Sequence, residues 1–117
     1  MPNEIKVDIL FYIEKGEIVM DSPQLDIGTV QKLPSDYHEN IKNLVIRVFE
    51  EKLSNKIARF DSKEHFIKTM LDHGSLDMDK EGMLKAKELT FFLEKFEYLN
   101  NFMKEKGLRR IKHTITL

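Results

Sequence analysis

Residues 83–106 run for 24 positions without a proline or a glycine, are rich in Lys, Glu and Leu, and stop at Gly107. Nothing in that stretch interrupts a backbone ladder, so it predicts one long helix. At 1.5 Å per residue such a helix is about 36 Å long. A compact chain of this size has a radius of gyration of roughly 13 Å, so the helix would span the body or overhang it. On a helical wheel its apolar residues cover roughly 240° of the circumference, where a surface helix carries about 100–140°. One stripe holds Leu89, Phe92, Phe96, Leu99 and Met103; a second holds Leu84, Phe91, Tyr98 and Phe102. Only Lys87, Glu94, Glu97, Asn101 and Glu105 make an unbroken polar face. Two stripes require two coverings. Either the helix is central, with sheet on one side and shorter helices on the other, or Leu84, Phe91, Tyr98 and Phe102 are the contact residues for another chain.

The rest of the sequence supplies a sheet and two more helices. Ile5, Val7, Ile9, Phe11 and Ile13 alternate with Lys6, Asp8, Leu10 and Tyr12, the period-two pattern of a half-buried strand. Lys15-Gly16 is a turn, residues 17–21 return as a hairpin partner, and Ser22-Pro23 breaks the run. Residues 24–33 alternate weakly, as a third strand or an extended loop. Asp36 with Glu39 resembles a capping box, and Tyr37, Ile41, Leu44, Val45, Val48 and Phe49 then repeat at helical spacing, predicting a helix over 37–53 that ends at Ser54-Asn55. Asp61 with Glu64 opens a second helix, whose inner face is Phe66, Ile67, Met70 and Leu71 and whose C-terminal cap is Gly74. After Gly107, Ile111, His113, Ile115 and Leu117 alternate with Arg110, Lys112, Thr114 and Thr116 as a closing strand beside residues 5–13. The expected fold is a single α+β domain over 1–117: a small, mainly antiparallel sheet, made of the N-terminal hairpin and the C-terminal strand, packed on one face by three helices of which the last is long.

Composition narrows the chemistry. The 117 residues contain no cysteine, which excludes disulfides, Cys-ligated zinc, iron–sulfur clusters and thiol nucleophiles. Nineteen basic against 20 acidic residues leave a net charge of −1, so bulk charge does not select a polyanion. Met1-Pro2-Asn3-Glu4 lacks the basic segment of a secretory leader, and Asp8 interrupts the apolar run that follows. No segment reaches the length of a membrane span, and the expected location is the cytoplasm.

Three clusters carry possible chemistry. Asp77, Asp79, Glu81, Gly82, Leu84 and Glu88 fall near the spacing of a calcium-binding loop, in which short carboxylates and a closing Glu surround the ion. The fit is broken by Glu81 at the fifth place and by Lys85 at the ninth, and acids at the start of a helix are favoured by the macrodipole without any ion. Lys104, Lys106, Arg109, Arg110 and Lys112 form a basic strip against Glu105 alone. Lys106, Arg109, Arg110 and Lys112 could contact phosphates of nucleic acid, with Tyr12 or Tyr98 stacking on bases, and such binding would be salt-sensitive and nearly sequence-blind. The same cations also suit a helix C-terminus and a solvated edge strand. The histidines do not cluster: His38-Glu39 has Lys42 where a zinc helix needs its second His, His65 and His73 stand two turns apart, and His113 sits on the apolar side of its strand. No glycine-rich phosphate loop or G-x-S-x-G elbow is present. The expectation is a non-enzymatic regulatory or adaptor protein that acts by binding another protein or a second copy of itself, without a cofactor. Nucleic-acid binding through the basic strip is the second reading, and calcium binding at Asp77, Asp79, Glu81 and Glu88 the third. For a homodimer, antiparallel pairing of helix 83–106 with its copy would set its acidic start beside its basic end.

Overall fold

The computed structural model describes residues 3–34, 40–105 and 107–117. It is an α+β structure with a four-stranded antiparallel sheet, a two-stranded sheet and, among the described residues, four helices. β1 (Glu4–Glu14) and β2 (Glu17–Ser22) form the expected hairpin, with Lys15 and Gly16 both at positive φ in its turn. A short 3₁₀ turn at Pro23–Leu25 and a left-handed Asp26 lead into β3 (Ile27–Lys32), so the weak alternation of 24–33 resolves into a turn followed by a true third strand. β6 (Arg109–Thr116) closes on β1 from Glu4↔Thr116 to Phe11↔Arg109, and the sheet order is β3-β2-β1-β6.

α1 (Ile41–Ile57) starts at Asn40, whose side-chain oxygen accepts the Lys42 amide at 2.8 Å. The expected Asp36–Glu39 cap lies outside the described residues. The helix also continues past Ser54-Asn55 to Ile57, because Leu53 and Ile57 extend its apolar face onto the core. α2 (Lys63–Asp72) is capped by Ser62, whose hydroxyl accepts the His65 amide at 3.0 Å, rather than by Asp61. Gly74 follows α2 at φ +77°, as a C-terminal glycine should.

The largest correction concerns 83–106, which is not one helix. β4 (Leu76–Met78) and β5 (Leu84–Ala86) form a second hairpin, and then come α3 (Leu89–Lys95) and α4 (Glu97–Glu105). Two local forces decide this. Asp79 Oδ1 accepts the amides of Glu81 and Met83 at 2.9 and 2.8 Å, and Gly82 takes φ +80°, so the chain reverses where a helix was expected to start. Beyond the turn, Leu84 and Ala86 face inward while Lys85 stays exposed, a short period-two pattern inside helix-like composition. The second break is Phe96, in extended backbone at φ −120°, ψ 106°. A straight stripe from Leu89 to Met103 would be about 21 Å long. This face of the sheet gives that stripe one fully buried residue, Leu10, and the bend lets Leu89, Phe92 and Leu99 all converge on it.

The helices therefore cover both faces of the sheet, not one. Ile5, Val7, Ile9 and Phe11 of β1 join α1, α2, Leu76 and Leu84 in the main core. Leu10, pointing the other way by the alternation of the strand, carries the smaller core beneath α3 and α4. No helix among the described residues is long and apolar enough to cross a membrane.

Candidate functional site

The four residues expected to form one contact stripe separate in the structure. Leu84 is 3% exposed and belongs to the main core, with its amide on Asn3 Oδ1, so it cannot meet a partner. Phe102 is half-buried against Tyr12, the ring centroids 5.3 Å apart. Phe91 and Tyr98 remain on the surface, at 37% and 58% exposure.

Those two rings are the ends of a continuous ladder. Phe91 stands edge-on to Phe92 at 5.2 Å, Phe92 stacks with Phe96 at 6.4 Å, and Phe96 meets Tyr98 at 5.8 Å. Phe92 is buried in the smaller core, so the ladder is anchored from below and its ends are held at fixed places. The ends differ in charge. Lys87 and Lys95 lie over the Phe91 ring at 5.3 and 5.5 Å, and Lys95 also lies 5.4 Å from the Phe96 ring. At the other end, burial first and then the charges of Asp21 and Asp26 raise the Tyr98 hydroxyl above its ordinary pKa. Lys87 is also paired with Asp77 and Asp26 with Lys56, so the difference between the two ends rests on Lys95 and Asp21.

Asp21 is itself perturbed. Burial, and after it the charge of Asp26, pushes its carboxyl up to about 6 from an ordinary value of 3.8. Its side chain lies over Gly28 on β3, where a Cβ would stand 3.7 Å from a carboxylate oxygen. A raised acid binds its proton in the folded chain before the unfolded chain does. Its contribution is therefore fully present below about pH 4 and is lost as pH rises through about 6. Asp21→Asn is expected to raise stability at pH 8 by on the order of 1–2 kcal/mol, allowing for the group's partial solvation, and to change little at pH 4. Thermal melts of both proteins at the two pH values check this; an equal gain at both would show that charge is not the cause.

The carboxylates of the calcium-loop pattern are not brought together. Asp77 pairs with Lys87 at 2.7 Å, Asp79 is engaged by the backbone of its own turn, and Glu88 lies at the start of α3 beyond β5. Among the described residues no group of three His, Cys, Asp or Glu side chains could hold a metal ion. Acids at the start of one long helix are no better as an account, since Asp77 is in a strand and Asp79 builds a turn.

The basic strip is divided by the pleat of β6. Arg109 lies opposite Phe11, while Arg110 and Lys112 lie opposite Leu10 and Asp8 on the other face. Lys106 is outside the described residues. Arg110 is tied down: its Nε donates to Asp8 Oδ1 at 2.6 Å, and Gln24 Nε2 donates to Asp8 Oδ2, also at 2.6 Å. Asp8 is 6% exposed and Gln24 almost wholly buried. Sequence reading had nothing to single out Asp8 or Gln24, because the signal is a pairing between residues 16 and 102 positions apart. His113 packs edge-on to Phe49 and bonds Glu50 of α1 at 2.5 Å, a packed histidine in a helix–sheet contact.

The chain matches no protein-family model, and neither a curated protein nor a solved structure is significantly similar to it.

Proposed function

We propose that the protein is a non-enzymatic binding module that acts through protein–protein contact on the α3–α4 face, and that the partner is a second copy of the chain. One observation carries the reading: the ring ladder ends in two exposed aromatic side chains, Phe91 and Tyr98, with the Lys95 ammonium over the first. An isologous dimer needs a self-complementary patch, in which whatever lies on one side of the two-fold axis finds its match on the other. An axis through the middle of the ladder sets the Lys95 end of one copy against the Asp21 end of its mate. The rings supply the apolar centre, where aromatic residues carry most of the energy of an interface. This arrangement replaces the pairing of one long helix with its copy, since α3 and α4 are short and separated at Phe96.

Sedimentation equilibrium from low micromolar to near-millimolar concentration tests it. The expected result is a reversible dimer that weakens with added salt, because the charged ends are solvent-exposed. Tyr98→Lys, which puts a cation at the anionic end and removes a ring, should weaken association at least about tenfold. A chain that stays monomeric throughout, or one that dimerises equally well with Tyr98→Lys, overturns the proposal.

A further inference from the structure

β3 is an outer strand of the four-stranded sheet, so one of its edges carries no neighbouring strand. The register says which groups point there. Leu33 N–H donates to Gly16 O at 2.8 Å, one step beyond the Glu17↔Lys32 pair. The odd residues of β3 therefore bond to β2, while Gly28, Val30 and Lys32 direct their N–H and C=O outward. On that side these groups have no backbone partner among the described residues. All three residues are exposed, and for Gly28, which has no side chain, exposure means that the backbone edge itself is bare.

The side chains along this edge fall on the sheet face that bears α3 and α4. Cross-strand neighbours share a face: Leu10, Asp21 and Gly28 form one row, and Tyr12, Val19 and Val30 form the next. The second row is apolar and rises in exposure toward the edge, from half-buried Tyr12 and Val19 to Val30 at 61%. The first row stops at a glycine. Gly28 does not lie at positive φ, and a Cβ built on it would meet its nearest atoms at 3.7 Å, an ordinary contact. Neither backbone conformation nor space demands a glycine there. Its effect is to leave Asp21 uncovered from the edge, with a carboxylate oxygen 3.7 Å from the missing Cβ. That carboxylate has no hydrogen bond or ion pair among the described residues, and Lys32 at the other end of the edge has no ion pair either. In order along the strand, the edge offers a carboxylate behind a notch, an apolar side chain and an ammonium.

We propose that β3 takes an added antiparallel strand from another protein, an extended segment of the pattern acidic-x-apolar-x-basic whose basic side chain crosses Gly28 to Asp21. The bare backbone edge supplies the pairing, and alternate side chains supply the choice of sequence. In a register centred on Val30, the residues opposite Gly28 and Lys32 stand two positions on either side of the one opposite Val30. A glycine inside a strand marks a place where another backbone or a ligand can approach closely. Two strand spacings, about 10 Å, separate Asp21 from the added residue, within the combined reach of a lysine and an aspartate side chain. A small cation would answer Asp21 but not Val30 or the outward N–H and C=O groups. A second copy also presents Val30 and Lys32 in this register. The α3–α4 contact is already two-fold, however, and another two-fold contact would carry the assembly past a dimer. In that choice of occupant the inference rests on the reading above.

The test is a titration of the ¹⁵N-labelled full chain followed by NMR, with acetyl-Glu-Thr-Val-Thr-Lys-amide as the probe. Two controls run beside it: the same peptide N-methylated at its valine, which removes the N–H that would reach Val30 O, and the peptide with Glu in place of Lys. The expected result is shifted amides at Gly28, Val30 and Lys32 with the first peptide and loss of binding with the N-methylated one. Binding should be about tenfold weaker with the Glu peptide and about tenfold weaker by the Asp21→Asn chain, which keeps its fold because the change removes a half-buried charge. Silence at those amides near millimolar peptide overturns the proposal, as does equal binding of either control or by Asp21→Asn. Shifts at the same amides on raising the protein concentration alone would put a second copy on the edge and also overturn it. Self-association through the ring ladder is read by sedimentation instead, so a chain that stays monomeric yet shows the peptide shifts loses the dimer and keeps the added strand.

Discussion

Asp8→Ala should lose about 2–4 kcal/mol of stability, although a charged residue in mid-strand looks dispensable on paper. Asp8 is almost fully buried and receives Arg110 Nε and Gln24 Nε2, while its own amide goes to Gln24 Oε1. Removing the carboxylate leaves Gln24, itself buried, with an unsatisfied amide, which alone costs about 1–3 kcal/mol. It also strips Arg110 of a charge-assisted bond. Because the Arg110 side chain is 42% exposed, water recovers part of that loss, which keeps the total below the figure for a fully buried ion pair. Domains of this kind have about 5–15 kcal/mol in hand, so the variant should unfold at markedly lower urea. Arg110→Met should cost less than Asp8→Ala, and a double-mutant cycle between the two should show coupling of about 1–3 kcal/mol. Additive losses would mean that Asp8 acts through Gln24 alone.

That network also marks where sequence reading reaches its limit. β1, β2 and β6 were legible because each turns alternate residues into the main core, and the alternation of Ile5, Val7, Ile9 and Ile111, Ile115 records that burial directly. The cores of α1 and α2 were legible for the same reason, at helical spacing. Residues 83–106 misled because propensity is a weak prior that tertiary contacts override. Lys, Glu and Leu favour a helix, yet Asp79 and Gly82 make a turn, and burying Leu84 and Ala86 in alternation outweighs three residues of helical preference. The bend at Phe96 had no local sign, since it answers to Leu10, far away in sequence. Of the four expected contact residues, Phe91 and Tyr98 are exposed and Leu84 and Phe102 are not, because a strand and two separate helices place side chains by periods that no single helical wheel describes. The division of Arg109 from Arg110 and Lys112 could have been read from the alternation of β6 alone.

Leu99→Ala should cost about 2–4 kcal/mol and, more tellingly, should act on one side of the sheet. Leu99 is fully buried with Leu10, Leu89 and Phe92 in the smaller core, and truncating a buried leucine removes both transfer energy and packing. The two cores lie on opposite faces of β1, with α3 also touching the 3₁₀ turn at Pro23–Leu25, so the smaller one can open while α1, α2 and the sheet remain packed. Hydrogen exchange should therefore lose protection first across Leu89–Glu105, with the amides of β1 paired to β6 still slow. The same change should loosen the ring ladder, because Phe92 would lose the neighbour that anchors it, and self-association through Phe91 and Tyr98 should weaken although neither exposed ring is altered. Phe49→Ala in the main core should do the reverse, lowering protection everywhere at once, because Phe49 packs in the core that the sheet shares with α1 and α2. Uniform loss of protection in Leu99→Ala would show that α3 and α4 fold as one cooperative unit with the rest, and the binding face would then be as rigid as the sheet beneath it.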